Sequence, residues 1–386
     1  MDLYLSQRAQ AVTPFLAMEI MELAKARQAE GHDVLYLCLG EPDFPTPEPI
    51  TRAAIEAIRS GHTTYTHSLG LPELRSEICR HYQQSYGVRI DPDQVIVSSG
   101  TSPLLLLLFA ALLNEGDEVI LGNPSYACYA NTVRFNGGKA VEVATHSENG
   151  FQLCAEDIAR ARTSRTRAVL INSPSNPAGS LLDADSLRAI AALGLPVVAD
   201  EIYHGLSYDE PEHSILEFTD QAFVLGGFSK TYAMTGWRLG YLIVPPATVR
   251  TLRNLHQNFV ICANSFVQYA GIAALRHCQP DVARMRAAYN ERRLFLIEAL
   301  QQLGLPLPCL PSGAFYLLAD CRHLSTDSVA LAREILTRTN IALTPGIDFG
   351  SNCEGFLRFS YATSLDTLQQ AVERLRTWLS TRTAAG

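Results

Sequence analysis

Lys230 and Arg238 lie eight residues apart in the stretch Gly226-Gly227-Phe228-Ser229-Lys230-Thr231-Tyr232-Ala233-Met234-Thr235-Gly236-Trp237-Arg238-Leu239-Gly240-Tyr241, directly after the apolar run Phe223-Val224-Leu225. An ammonium at the end of a buried strand is costly unless it is paired or converted to an imine. A guanidinium offers a rigid fork of donors that suits a phosphate dianion. A single lysine after a strand is usually a solvated surface residue. Lysine, arginine and serine (Ser229) gathered within ten residues, joined by glycines and a tryptophan, point instead to a site.

Four other segments carry groups of complementary chemistry. Ser98-Ser99-Gly100-Thr101-Ser102 follows an apolar run and opens a helix with Pro103 in its first turn; free N–H groups and two hydroxyls there suit a phosphate, as they also suit an ordinary helix cap. Asn172-Ser173-Pro174-Ser175-Asn176-Pro177-Ala178-Gly179 ends another run on an irregular path that can present the Asn176 amide, or form a plain Asn-Pro turn. Val197-Val198-Ala199 leads straight into Asp200-Glu201-Ile202-Tyr203, and a carboxylate at a buried strand end asks for a cationic partner unless it is solvated in a turn. In Gly355-Phe356-Leu357-Arg358-Phe359-Ser360-Tyr361-Ala362 one arginine interrupts an apolar strand. It suits bidentate capture of a carboxylate, and a solvent-facing edge-strand arginine fits the segment equally well.

The elements that must hold these residues are legible as short apolar runs alternating with helical ones. Strands are predicted at Val95-Ile96-Val97, Val119-Ile120-Leu121, Val141-Glu142-Val143, Ala168-Val169-Leu170-Ile171, Val197-Val198-Ala199, Phe223-Val224-Leu225 and Tyr241-Leu242-Ile243-Val244. Most are apolar on successive residues, as a sheet covered on both faces requires. The class is α/β: a three-layer α/β/α large lobe around a mostly parallel seven-stranded sheet, with ligands at the carboxyl ends of the strands. A long helix from about Pro280 to Leu303 leads into a smaller α+β lobe with Phe315-Tyr316-Leu317-Leu318, a helix near Ser328 to Thr339, Ile341-Ala342-Leu343, Phe356-Leu357-Arg358-Phe359 and a last helix capped by Ser364. Near the start, Thr13-Pro14 reads as a hydroxyl cap and first turn for a helix ending at Gly31, which can join the small lobe. Thr46-Pro47-Glu48 opens a helix running to about Ser60. The expected division is 46–279 for the large lobe, with 1–45 and 280–386 forming the small one.

Composition excludes several functions. With 386 residues, 47% apolar and 18% charged, the chain has material for a sizeable core. Its net charge of -8 and lack of a basic run argue against nucleic acid. The longest apolar run, Leu104 to Leu113, is half of the roughly 20 residues that cross a membrane as a helix. Met1-Asp2-Leu3-Tyr4-Leu5-Ser6-Gln7-Arg8 does not read as a secretory leader. Nine scattered cysteines without a Cys-x-x-Cys pair are expected to be reduced thiols, which favours the cytoplasm. No metal is expected, since the ten histidines show no ligand spacing.

Taken in order, the motifs resemble the class I/II aminotransferases, aspartate aminotransferase-like enzymes of fold type I that use pyridoxal 5'-phosphate (PLP). The resemblance runs from about Pro14 to Trp378. Its most specific part is Ser229-Lys230 followed by Thr235-Gly236-Trp237-Arg238-Leu239-Gly240, supported by Asn172 to Pro177, Asp200 to Tyr203 and Gly40-Glu41-Pro42-Asp43-Phe44.

The resemblance implies that Lys230 forms the Schiff base with PLP and, once released, shuttles a proton between the substrate α-carbon and the cofactor's C4'. Asp200 would face the pyridine nitrogen, Asn176 and Tyr203 the phenolic oxygen, and Tyr126 would stack on the ring. Gly100, Thr101, Ser102, Ser229 and Arg238 would hold the phosphate, joined by Tyr65 from the second subunit of a homodimer. Arg358 would clamp the substrate carboxylate, with Asn176 and the backbone of Gly40 nearby. The implied activity is a ping-pong exchange between an L-amino acid and a 2-oxo acid in amino-acid metabolism or biosynthesis. A carbon–sulfur β-lyase would use the same carbanion, and a PLP-binding regulator is disfavoured because only about a dozen residues precede the first helix. Two positions depart from the family pattern: Gly227 stands where many relatives carry a hydroxyl, leaving one phosphate hydrogen bond missing or supplied by water, and Ala178 replaces a common threonine. Which amino acid is used stays open, because a dicarboxylate would need a second cation near its side chain.

Overall fold

The structure is a computed structural model that describes residues 4–383. Residues 1–3 and 384–386 of the expected small lobe lie outside it, as do Met1, Asp2 and Leu3 of the leader reading. All seven predicted runs form one sheet, ordered in space Val95–Ser98, Gly240–Ile243, Ala222–Gly227, Val197–Asp200, Thr166–Asn172, Glu118–Asn123, Lys139–Ala144. Only Gly240–Ile243 runs against its neighbours. The unbroken apolar runs have a direct cause. Val169, Ile171, Val197, Ala199 and Val224 feed the core on one face, while Ala168, Leu170, Val198, Phe223 and Leu225 feed a separate core on the other. Successive side chains point to opposite faces, so a sheet between two helical layers needs both sets apolar. Lys139–Ala144, at the edge, alternates exposed and half-buried positions. Its Lys139 pairs with Glu118 on the next strand.

The strand order brings the carboxyl ends of Val95–Ser98, Thr166–Asn172, Val197–Asp200 and Ala222–Gly227 to one rim, where the chemistry-bearing loops begin. Above that rim sits a three-stranded antiparallel sheet with Phe356–Ser360 in the middle, between Thr344–Pro345 and Tyr316–Asp320. Leu35–Tyr36 pairs in parallel with Ile341–Ala342, tying the two ends of the chain together. The helix Leu16–Ala29 joins them there, with Arg27 donating to Asn340 Oδ1 at 2.8 Å. The helices Gln279–Gln302, Ser328–Thr339 and Leu365–Thr383 fall where the periodicity puts them.

Two helix starts differ from expectation. Thr13 does not cap the first long helix; that helix begins at Leu16, and its free N–H groups at Leu16 and Ala17 donate to the Asp348 carboxylate at 2.8 and 3.1 Å. A carboxylate at the positive end of the helix dipole is a stronger cap than a neutral hydroxyl, but it comes from 332 residues away and no local pattern shows it. Similarly, the second long helix starts at Glu48, and Thr46 uses its hydroxyl to donate to the Ala233 carbonyl at 2.6 Å while accepting from Trp237 Nε1 at 3.0 Å. That pair of bonds pins the N-terminal loop to the turn between Lys230 and Arg238.

Candidate active site

Between the two lobes lies a cleft of about 590 Å³ lined by Lys230, Arg238, Asp200, Tyr203, Arg358 and Tyr126, together with Thr101, Ser102, Asn176, Ser229 and Gly40. The chain has three lysines, and Lys25 and Lys139 are exposed. Lys230 alone faces the cleft, its Nζ donating to the Gly40 carbonyl at 2.6 Å. Burial pushes its ammonium down to about 8; Glu41 and Asp200 resist the shift, while Arg358 and Arg238 add to it. Gly40 has no alternative at its position. A Cβ there would lie 1.8 Å from the Tyr316 hydroxyl, so only glycine lets the backbone pass between Lys230 and Tyr316.

Asp200 does not have the protein cation that its buried position asks for. Its Oδ2 accepts from the Tyr129 hydroxyl at 2.7 Å and its Oδ1 from the Ile202 N–H at 3.1 Å. Burial raises its pKa, and these two bonds only partly offset that. The Asp200 backbone carbonyl accepts from Asn172 Nδ2 at 2.8 Å, and Asn172 Oδ1 accepts from the Asn176 N–H at the same distance. One asparagine thereby sets the positions of both Asp200 and Asn176. Tyr203 bonds Tyr316 through their hydroxyls at 2.8 Å, and burial holds its phenol protonated.

Arg358 is not an edge arginine facing solvent. It sits on the middle strand, 3% exposed, and donates to Asn176 Oδ1 at 2.8 Å, to the Cys38 carbonyl at 2.6 Å and to Thr344 Oγ1 at 3.1 Å. Its Nε has no partner among the described residues, and its guanidinium stands 4.3 Å from the centre of the Tyr316 ring. Arg238 adopts a left-handed backbone with φ 55, a strained conformation for a residue with a side chain. That turn aims its guanidinium at Gly100, where a Cβ would lie 2.6 Å from Nη2. Gly100, with φ 96, also leads the helix Thr101–Leu112 with no side-chain cap, so the first N–H groups face the cleft beside Arg238.

Tyr65 is not brought to the cleft; it is 80% exposed on the surface. Gly227 packs closely: a Cβ there would meet Ile202 Cδ1 at 2.8 Å and Gly240 Cα at 3.3 Å, so a larger residue would need the Ile202 side chain to shift. Sequence reasoning missed Tyr129, Tyr316 and Thr344. Tyr129 lies in the helix Cys128–Phe135, just after the irregular segment that carries Tyr126, and the two rings pack edge-on with centroids 5.3 Å apart. Tyr316 and Thr344 owe their places to strand register, with Thr344 opposite Arg358.

Residues 32–375 match the family model described as aminotransferase class I and II. The aspartate aminotransferase of Geobacillus stearothermophilus is 39% identical, over 98% of this chain and 99% of that one. Among solved structures, an aminotransferase from Mycobacterium tuberculosis superposes with a TM-score of 0.94 at 34% identity, covering 98% of this chain and all of that one. The aspartate aminotransferase of Thermus thermophilus with maleate gives 0.93 at 36% identity, covering 97% of this chain and all of that one. The chain belongs to the class I and II aminotransferases. It is accordingly a PLP-dependent transaminase, which moves an amino group between an amino acid and a 2-oxo acid.

The residues present fit PLP. Asp200 is a buried anion with no hydrogen-bonded cation, and Arg238 and Arg358 are cations without a carboxylate partner among the described residues. A ligand that carries a phosphate dianion at one end and a protonated ring nitrogen at the other satisfies Arg238 and Asp200 together. Arg358 is left with an unpartnered Nε among the described residues.

The lowered lysine pKa sets a pH dependence. With a value near 8, about a tenth of Lys230 is free amine at pH 7 and about nine-tenths at pH 9. The rate of covalent loading of PLP onto the protein stripped of it is therefore expected to rise roughly tenfold over that interval, with its midpoint near pH 8. Stopped-flow absorbance checks this. A rate still climbing steeply at pH 10 would show an ordinary lysine.

Proposed function

We propose that transamination proceeds in this cleft with Lys230 as the group that binds the cofactor and moves the proton. The observation that carries the reading is the sole cleft lysine, depressed to about 8, between the anion Asp200 and the cations Arg238 and Arg358. Bound PLP supplies a reactive aldehyde carbon and a ring that accepts electron density from the substrate α-carbon. Asp200 keeps a proton on the ring nitrogen, and Tyr129 and the Ile202 N–H hold the carboxylate in place for it. Tyr203 and Asn176 would donate to the ring's phenolic oxygen, and Tyr126 would hold the ring. The N–H groups and hydroxyls of Gly100, Thr101 and Ser102, with Ser229 and Arg238, hold the phosphate. Arg358 binds the substrate carboxylate, and Gly40 and Asn176 fix its approach. Once displaced by the incoming amine, Lys230 takes the α-proton as a free base and returns it on the other side of the exchange.

The phosphate site is completed by a second copy of the chain. Tyr65 is exposed beside Phe259 (72% exposed) and Ile261, on segments joined by Gln257 to Ser68 and by Gln268 to Thr66. Such an apolar surface suits a homodimer in which each Tyr65 reaches the partner's phosphate. Residues 46–279 form the cofactor lobe, and the two chain ends form the lobe that carries Arg358. No helix among the described residues is long and apolar enough to cross a membrane. The reading assigns the protein to the cytoplasm and to amino-acid biosynthesis, with no nucleic-acid partner and no metal.

Arg358→Lys tests the substrate half of the assignment. A lysine keeps the charge but loses the fork, so kcat/KM is expected to fall roughly a hundredfold, mainly through KM, with the visible absorbance of the bound cofactor unchanged. A change of less than threefold would remove Arg358 from the site.

A further inference from the structure

We propose that the amino donor of this enzyme carries an uncharged, largely apolar side chain and that aspartate and glutamate are poor donors; the proposal rests on the transaminase assignment above. Three cations line the cleft, and each is committed: Lys230 to the cofactor and the proton, Arg238 to the phosphate, Arg358 to the α-carboxylate. A substrate whose carboxylate is held at Arg358, and whose amine joins the cofactor carbon that Lys230 releases, turns its side chain toward the part of the lining left uncommitted. That part is Phe15, Ala17, Met18, Cys38, Leu39 and Ile202, with Glu41 and Thr235 beside them. It is a built wall, since the Asp348 carboxylate caps Leu16 and Ala17 at 2.8 and 3.1 Å and the Phe15 ring packs edge-on against Tyr126 with centroids 5.8 Å apart. The carboxylate beside it is that of Glu41, which accepts from the Thr235 hydroxyl. A side-chain carboxylate would meet apolar carbon on one side and a like charge on the other. The surface assigned to the second subunit exposes Tyr65, Phe259 and Ile261 among polar neighbours such as His62, His67 and Gln257.

The experiment is the half reaction on the PLP-loaded enzyme, following loss of the visible band of the lysine-bound cofactor after adding leucine, methionine, phenylalanine, tyrosine, aspartate or glutamate. The expected result is that the best apolar or aromatic donor exceeds aspartate and glutamate by at least about tenfold in kcat/KM. A matching gain is expected from Met18→Arg, at a half-exposed position of that wall which touches neither the cofactor groups nor Arg358 in the assignment above: the added cation should raise the rate with aspartate roughly fivefold and lower that with leucine. Aspartate or glutamate reacting as fast as the apolar donors, with Met18→Arg making no difference, would overturn the substrate class and leave the transaminase assignment standing. Failure of every donor to change the band would overturn the transaminase assignment and the substrate class with it.

Discussion

Lys230→Ala is expected to lower transamination by about 10⁴-fold or more, because one change removes both the covalent attachment and the base that moves the proton. The fold should survive. Lys230 makes one hydrogen bond, to the Gly40 carbonyl, and its ammonium is destabilised by burial, so its removal relieves a cost to the folded state. PLP should still bind without covalent attachment, since Arg238, Asp200 and the start of the helix Thr101–Leu112 remain. Steady-state assays with saturating PLP, together with near-UV circular dichroism of the variant, separate lost chemistry from lost structure. Addition of a small primary amine should restore part of the proton transfer. A variant that keeps more than about a hundredth of the activity would mean that another group carries the proton.

Asp200→Asn is expected to have the next largest effect, about 10³-fold in kcat/KM. The amide matches the carboxylate in shape; its one oxygen can keep the Ile202 N–H, and its Nδ2 can donate to the Tyr129 hydroxyl oxygen in place of the bond that Oδ2 accepted. It removes only the negative charge, and with it the reason for a proton to stay on the ring nitrogen of the cofactor. The loss should therefore appear in kcat more than in substrate KM, and cofactor affinity should fall as well. Tyr129→Phe offers the graded companion, because it leaves the charge and removes one hydrogen bond of 2.7 Å. Its loss should be roughly tenfold, visible as a shifted pH profile of the bound cofactor's spectrum. If Asp200→Asn cost less than Tyr129→Phe, the charge would not be what the site uses.

The part of this site that was legible in the sequence is the part held by short segments. Lys230, Arg238 and Ser229 share one turn-rich loop, Asp200 and Tyr203 one strand end, and Gly100 to Ser102 one helix start. The sheet was legible because both of its faces are buried, which forces unbroken apolar runs that periodicity detects. What the sequence hid depends on contacts between distant residues. Asp348 caps a helix more than three hundred residues away, Tyr129 replaces the cation expected beside Asp200, and Gly227 lies against Ile202 and Gly240. Tyr65 was assigned by resemblance, and it lies exposed on the surface away from the cleft.

The central claim, that Lys230 holds the cofactor and gives it up to an amino donor, has a direct chemical test. The PLP-loaded enzyme is reduced with borohydride, digested and mapped by mass spectrometry, once as it stands and once after incubation with an excess of a reactive amino acid. With three lysines in the chain the map is unambiguous. The account predicts the reduced cofactor on the peptide containing Lys230 in the first sample, and its loss from that peptide in the second. Label on Lys25 or Lys139, or label on Lys230 that persists with every amino acid offered, would contradict it.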